Sequence, residues 1–181
     1  MFASLAAAVL LAQGPIAFPA TVAQDGPIAT ANVSETVEAL RLREAVAYAN
    51  PLPRGAPEAD YPLVAWCEAL VNGHVALGDS LTDADPLDRD IVRLGRLEAA
   101  DFRSALDAAR PRQDAATLAA ARSAAAEAAA KWAPLMDQEE AVRSQAFGLF
   151  FGLPGRCEHA ARRIRQDITT APATPEEVGL E

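Results

Sequence analysis

Apolar side chains recur along most of this chain at alternating steps of four and three residues, the period of a helix with one buried stripe. Leu63, Cys67, Leu70, His74, Leu77 and Leu81 follow it without a break and predict a helix capped at Asp60. Before it, Asn32 with Glu35 three residues on has capping-box spacing, predicting a helix to about Ala49 with Val33, Val37, Leu40 and Ala47 inside. Between the two, the stretch Pro51 to Pro62 holds four prolines and a glycine and reads as a stiff loop. Asn72-Gly73, flanked by Leu70, Val71 and Val75, is also a hairpin signal, but the longer helical period favours the helix.

The pattern continues downstream. Asp85-Pro86 with Asp88 marks the head of a third helix to about Arg110, with Ile91, Leu94, Phe102, Leu106 and Ala109 facing inward. Asp114 caps a fourth, whose stripe is Leu118, Ala121, Ala125, Ala128, Trp132 and Leu135, ended or kinked at Pro134. Asp137 with Glu140 repeats the capping-box spacing for a fifth, with Val142, Ala146, Leu149, Phe150 and Leu153 inward. Pro154-Gly155 turns the chain into a last helix carrying Cys157, Ala161, Ile164 and Ile168. The prediction is all-α: five to six antiparallel helices in a bundle, joined by short Pro/Gly loops, spanning residues 32–169. Residues 170–181, rich in Thr, Pro and Glu, read as a disordered acidic tail.

The N-terminus breaks the pattern. Phe2 to Ala12 is almost wholly apolar, and no charged side chain appears before Asp25. That run is too short to span a bilayer, and Gly14, Pro15 and Pro19 interrupt it, so residues 1–23 read as a signal peptide. Thr21 and Ala23 stand at −3 and −1 of a cut before Gln24, leaving a flexible mature start at 24–31 and no stable membrane anchor. The predicted destination is the periplasm or the medium. Its two cysteines, Cys67 and Cys157, then read as an inter-helix disulfide, since both fall on apolar stripes and that compartment is oxidising.

Composition narrows the function classes. Hydrophobic residues make up 51% of the chain but aromatics only 6%, so the apolar side chains are mostly small ones suited to close helix packing. With 16 basic against 25 acidic residues the formal net charge is −9, which argues against nucleic acid as a partner.

Gly78-Asp79-Ser80-Leu81, after His74-Val75-Ala76-Leu77, resembles the first block of the GDSL (SGNH) hydrolases. The resemblance covers about ten residues of 181 and implies that Ser80, delivered by a strand to a tight turn, is a nucleophile for ester hydrolysis. The later blocks are missing: no Asn follows Asn72 to serve the oxyanion hole, and the downstream His159 has Arg156 where the family's Asp stands. The same string reads equally as a helix C-terminus and turn.

Asp79, Asp83, Asp85, Asp88 and Asp90 crowd one turn, but an EF-hand fails, since Asp88 replaces its glycine and Leu94 its bidentate glutamate. Cys67, His74, Cys157 and His159 form a poor zinc set because Cys67 and His74 lie two helical turns apart. Haem lacks both a C-x-x-C-H motif and a methionine in the first helix. No cofactor is predicted, and His74 reads as a satisfied core residue. Arg156, Arg162, Arg163 and Arg165 form a candidate interaction patch, with a solvated or internally paired face as its alternative. Phe147, Phe150 and Phe151 cover more than one side of the fifth helix, as a central helix or an exposed groove would require. The reading is an exported, non-enzymatic binding, assembly or structural protein whose partner is an unidentified protein or envelope component. Its rivals are a Ser80 hydrolase and a ligand or metal carrier.

Overall fold

The computed structural model describes residues 36–150 and 152–180, and among them every regular element is helical. In chain order these are α1 (Val37–Ala49), α2 (Asp60–Asp79), α3 (Pro86–Ala109), α4 (Ala115–Ala130), the single turn α5 (Ala133–Met136), α6 (Glu140–Gly148) and α7 (Arg156–Arg165). Short 3-10 turns occupy Arg110–Arg112 and Glu176–Val178. No described helix is long and apolar enough to cross a membrane. The expected signal segment, the cut after Ala23, the 24–31 linker and the Asn32 cap lie outside the described residues.

α2 is the helix the others share: α3, α4, α6 and α7 all pack on it. Its sequence is apolar on nearly every side, which suits a central position, and Leu63, Val64, Trp66, Cys67, Val71 and Leu77 are almost fully buried. Each such side chain contributes about 1.5–3 kcal/mol of hydrophobic stabilisation. Tyr61 near its start donates to the Leu106 carbonyl near the end of α3 at 3.4 Å. Near its end, Val75 and Gly78 meet Gly95 and Val92 from the first half of α3. Asn72-Gly73 is helical, not a hairpin, and the glycine has a packing reason, because the Trp132 indole fills the space a Cβ would need.

Capping chemistry sets most boundaries, not always with the residue the spacing suggests. Thr36 Oγ1 accepts from the Ala39 N–H at 3.1 Å and starts α1. α3 has the full capping box, Asp85 accepting from the Asp88 N–H at 2.9 Å and Asp88 from the Asp85 N–H at 3.1 Å. Asp114 caps α4 by accepting from the Thr117 N–H at 2.6 Å, and this holds its carboxyl below the usual range. Asp60 is the first residue of α2, not its cap: Tyr48 Oη and Arg163 Nε donate to its carboxylate at 2.6 and 3.1 Å. Pro62 falls in the first turn of α2, where a missing N–H costs nothing.

The Asp137–Glu140 box is also corrected, since α6 is entered through Glu139 with no side-chain cap. Glu140 instead accepts from the N–H and hydroxyl of Thr82, both at 2.6 Å, and from the Asp83 N–H at 3.1 Å. Those bonds lower its carboxyl, the Thr82 hydroxyl most. Leu94, Val142 and Leu149, expected inside, are exposed, because the burying neighbours contact Val92 and Phe147. α7 stops at Arg165, so Ile168 lies beyond it. Asp167 adopts φ 57°, and the Ile168 N–H reaches back to the Arg163 carbonyl at 2.9 Å, a Schellman-type closure.

The Cys67–Cys157 disulfide joins α2 to α7 with a Cα–Cα distance of 6.2 Å, and both cysteines are buried. It closes a separation of 90 residues. The stretch read from composition as a disordered tail holds a 3-10 turn in contact with α1. There Thr174 and Glu177 exchange hydrogen bonds at 3.1 and 3.3 Å, and Ala173 is buried.

Candidate functional site: a basic cleft between two helices

Ser80 is the C-terminal cap of α2, not a residue delivered by a strand. Its hydroxyl donates to the Leu77 carbonyl at 2.6 Å, and its own carbonyl accepts from Arg143 at 3.2 Å. Neither histidine is bonded to it. Gly78 of the same string has a packing role, because Val92 and Phe147 occupy the space of a Cβ there. Asp79 forms two hydrogen bonds to Arg96, at 2.6 and 2.7 Å. The context that the hydrolase resemblance implies is therefore replaced by a helix end.

His74 is buried among Phe147, Phe150 and Trp132, with the two phenyl ring centres each 4.4 Å from its own. Its Nε2 meets the Phe147 carbonyl at 3.0 Å, and burial lowers its pKa against that bond. His159 on α7 is buried too and lowered for the same reason, with Glu158 and Glu44 opposing. Among the described residues no three histidine, cysteine or carboxylate side chains cluster as a metal would require. The crowded aspartates serve as caps and ion pairs, Asp85 with Asp88 and Asp90 with Arg93 at 3.3 Å.

The four α7 arginines all turn inward or pair. Arg163 is buried, donating to Glu44 at 3.1 Å, to Asp60 at 3.1 Å and to the Thr170 carbonyl. Arg162 shares Glu44 at 2.8 Å. Arg156 reaches the Glu58 carbonyl at 2.5 Å and lies 4.4 Å over the Tyr48 ring. Burial, then the bond to Asp60, pushes the Tyr48 phenol well up. Arg165 pairs with Asp101 at 2.7 Å. Glu44, Arg162 and Arg163 also line a groove of about 420 Å³ beside α1, but their charges are spent on one another.

Sequence reasoning missed a different basic site. α3 and α4 both lie on α2 with little contact between them, and a cleft of about 330 Å³ opens along the seam. Tyr61, Ala65 and Glu68 of α2 form its floor. One wall is Arg103, Leu106, Asp107 and Arg110; the other is Leu118, Ala121, Arg122 and Ala125. Arg103 Nε is held by the buried Glu68 at 2.6 Å. Arg110 and Arg122 are exposed, and among the described residues neither guanidinium has an ion pair or hydrogen bond. Burial raises the Tyr61 phenol, with Arg110 opposing. Arg110 and Arg122 are twelve positions apart, one in the 3-10 turn that follows α3 and the other on α4, so no local pattern joins them.

No family model, curated protein or solved structure matches this chain. The reading of its function therefore rests on its own residues.

Proposed function

We propose that this chain is an exported binding, assembly or structural protein of the cell envelope that acts without catalysis. The observation that carries the non-catalytic part is Ser80, whose hydroxyl is committed to the Leu77 carbonyl at a helix end instead of facing a base. The Cys67–Cys157 bridge favours an oxidising compartment, and the uncharged, apolar N-terminal run favours export to it. In this reading the helices of the bundle run antiparallel. The Tyr61–Leu106 and Gly78–Val92 contacts support that for α2 and α3, and the Cys67–Cys157 and Asp60–Arg163 contacts for α2 and α7.

A fluorophosphonate probe on the mature protein tests the catalytic question. No labelling is expected, and labelling lost in Ser80→Ala would overturn the reading. Export is tested separately by N-terminal sequencing of protein recovered outside the cytoplasm. A start at Gln24 is expected, and retention of the chain inside the cell with Met1 intact would sink it. Between the remaining classes, a ligand carrier has the α3–α4 cleft in its favour.

A further inference from the structure

From the α3–α4 cleft we infer that this protein binds a small organic carboxylate with an apolar body, its acid group held between Arg110 and Arg122. The inference deepens the binding-protein reading and rests on it.

Three features converge. The first is charge: on a chain of net −9, two guanidinium groups face one cleft from opposite walls with no internal carboxylate answering them. Glu68, the buried acid on the floor, is taken by Arg103, and Asp107, on the same wall as Arg110, makes no ion pair with either arginine among the described residues. A planar guanidinium matches a carboxylate in a two-point contact, and a pair of them selects an anion over a neutral group of the same shape. The second is the apolar share of the same lining, Ala65, Leu106, Leu118, Ala121 and Ala125, which rewards a hydrocarbon body. The third is size. Ala121 and Ala125 project little from the α4 wall, and the cleft holds about 330 Å³, near the low end for small-molecule sites.

The probe is 4-phenylbutyrate, titrated into the full mature protein and followed by backbone amide chemical shifts. 4-Phenylbutanol and 4-phenylbutylamine serve as neutral and cationic controls. Saturable shifts centred on Ala65, Leu118, Ala121 and Ala125 are expected, with both controls binding at least about tenfold more weakly. Arg110→Gln/Arg122→Gln should weaken the carboxylate by about tenfold or more while leaving the amide spectrum folded, since neither side chain has an internal partner among the described residues. Ala125→Phe keeps the charges and fills the gap, and should also abolish saturation.

Equal binding of all three probes, or carboxylate binding unchanged in the arginine double variant, would overturn the inference. So would the absence of saturable shifts. Shifts confined to the groove beside α1 would overturn the cleft assignment yet leave the binding-protein reading standing. Ser80 labelling would remove that reading whatever the titration gives.

Discussion

Arg163 and Arg122 carry the same charged group on helices of one chain, and their surroundings differ at every point. Arg163 is buried, donates to Glu44 and Asp60, and sits where a disulfide fastens α7 to α2. Arg122 is exposed at a cleft wall with no partner among the described residues. The crowded basic run in the sequence is the spent one, while the isolated arginines stay open. Charge density along a chain is thus a poor guide to a binding surface. A buried guanidinium has lost its water and needs carboxylates to compensate, whereas an exposed one keeps its hydration and can exchange it for a ligand.

The contrast can be broken most severely on the α7 side. Cys67→Ser/Cys157→Ser should cost roughly 4–5 kcal/mol from the chain-entropy term for so long a loop, read by urea denaturation against the oxidised protein. A loss below about 1 kcal/mol would mean that the ion pairs alone hold α7. Arg163→Ala leaves Glu44 with Arg162 and Asp60 with Tyr48 as their remaining partners and should cost about 3 kcal/mol, the low end for breaking a buried ion pair. Arg163→Met should cost less than alanine, because it restores part of the packing beside Tyr48.

Acid should loosen the same side by a smaller amount. Burial lowers the His159 pKa below 6.5, so the unfolded chain binds the proton more tightly than the folded one. His159's contribution is therefore complete above pH 6.5 and is lost as pH falls through the lower folded value. His74 has the same sign. Denaturation midpoints should decline from neutral to mildly acidic pH, and His159→Gln should flatten part of that slope. An unchanged slope would remove His159 from the account. The smallest effect belongs to the open side: Arg110→Gln/Arg122→Gln should shift stability by no more than about 0.5 kcal/mol, as expected for surface changes without an internal partner. A larger loss would show that the two arginines are structural, and the contrast would fail.

Much of the local architecture was legible in advance. Asp85, Asp88 and Asp114 cap the helices their spacing predicts, and the four-three stripe of α2 is buried from Leu63 to Leu77, His74 included, while Leu81 lies past the helix end and is half-buried. The failures share a cause. Asp60 and Glu140 have capping residue types at capping positions, yet each carboxylate is taken by a residue distant in sequence, Arg163 and Thr82. Leu94 and Leu149 keep the period but face away from the helices that bury Val92 and Phe147. The candidate site was not legible at all, since it depends on a gap between α3 and α4.

By itself, then, the sequence determined the helical period, most helix boundaries and the chemistry of the cysteine pair, because these depend on side chains within a few residues or on two unique thiols. Only the tertiary structure decided which arginines are consumed and which stand open. Pairing is a matter of distance in space, and the short alanines of α4 leave a cleft whose walls meet only when three helices are assembled.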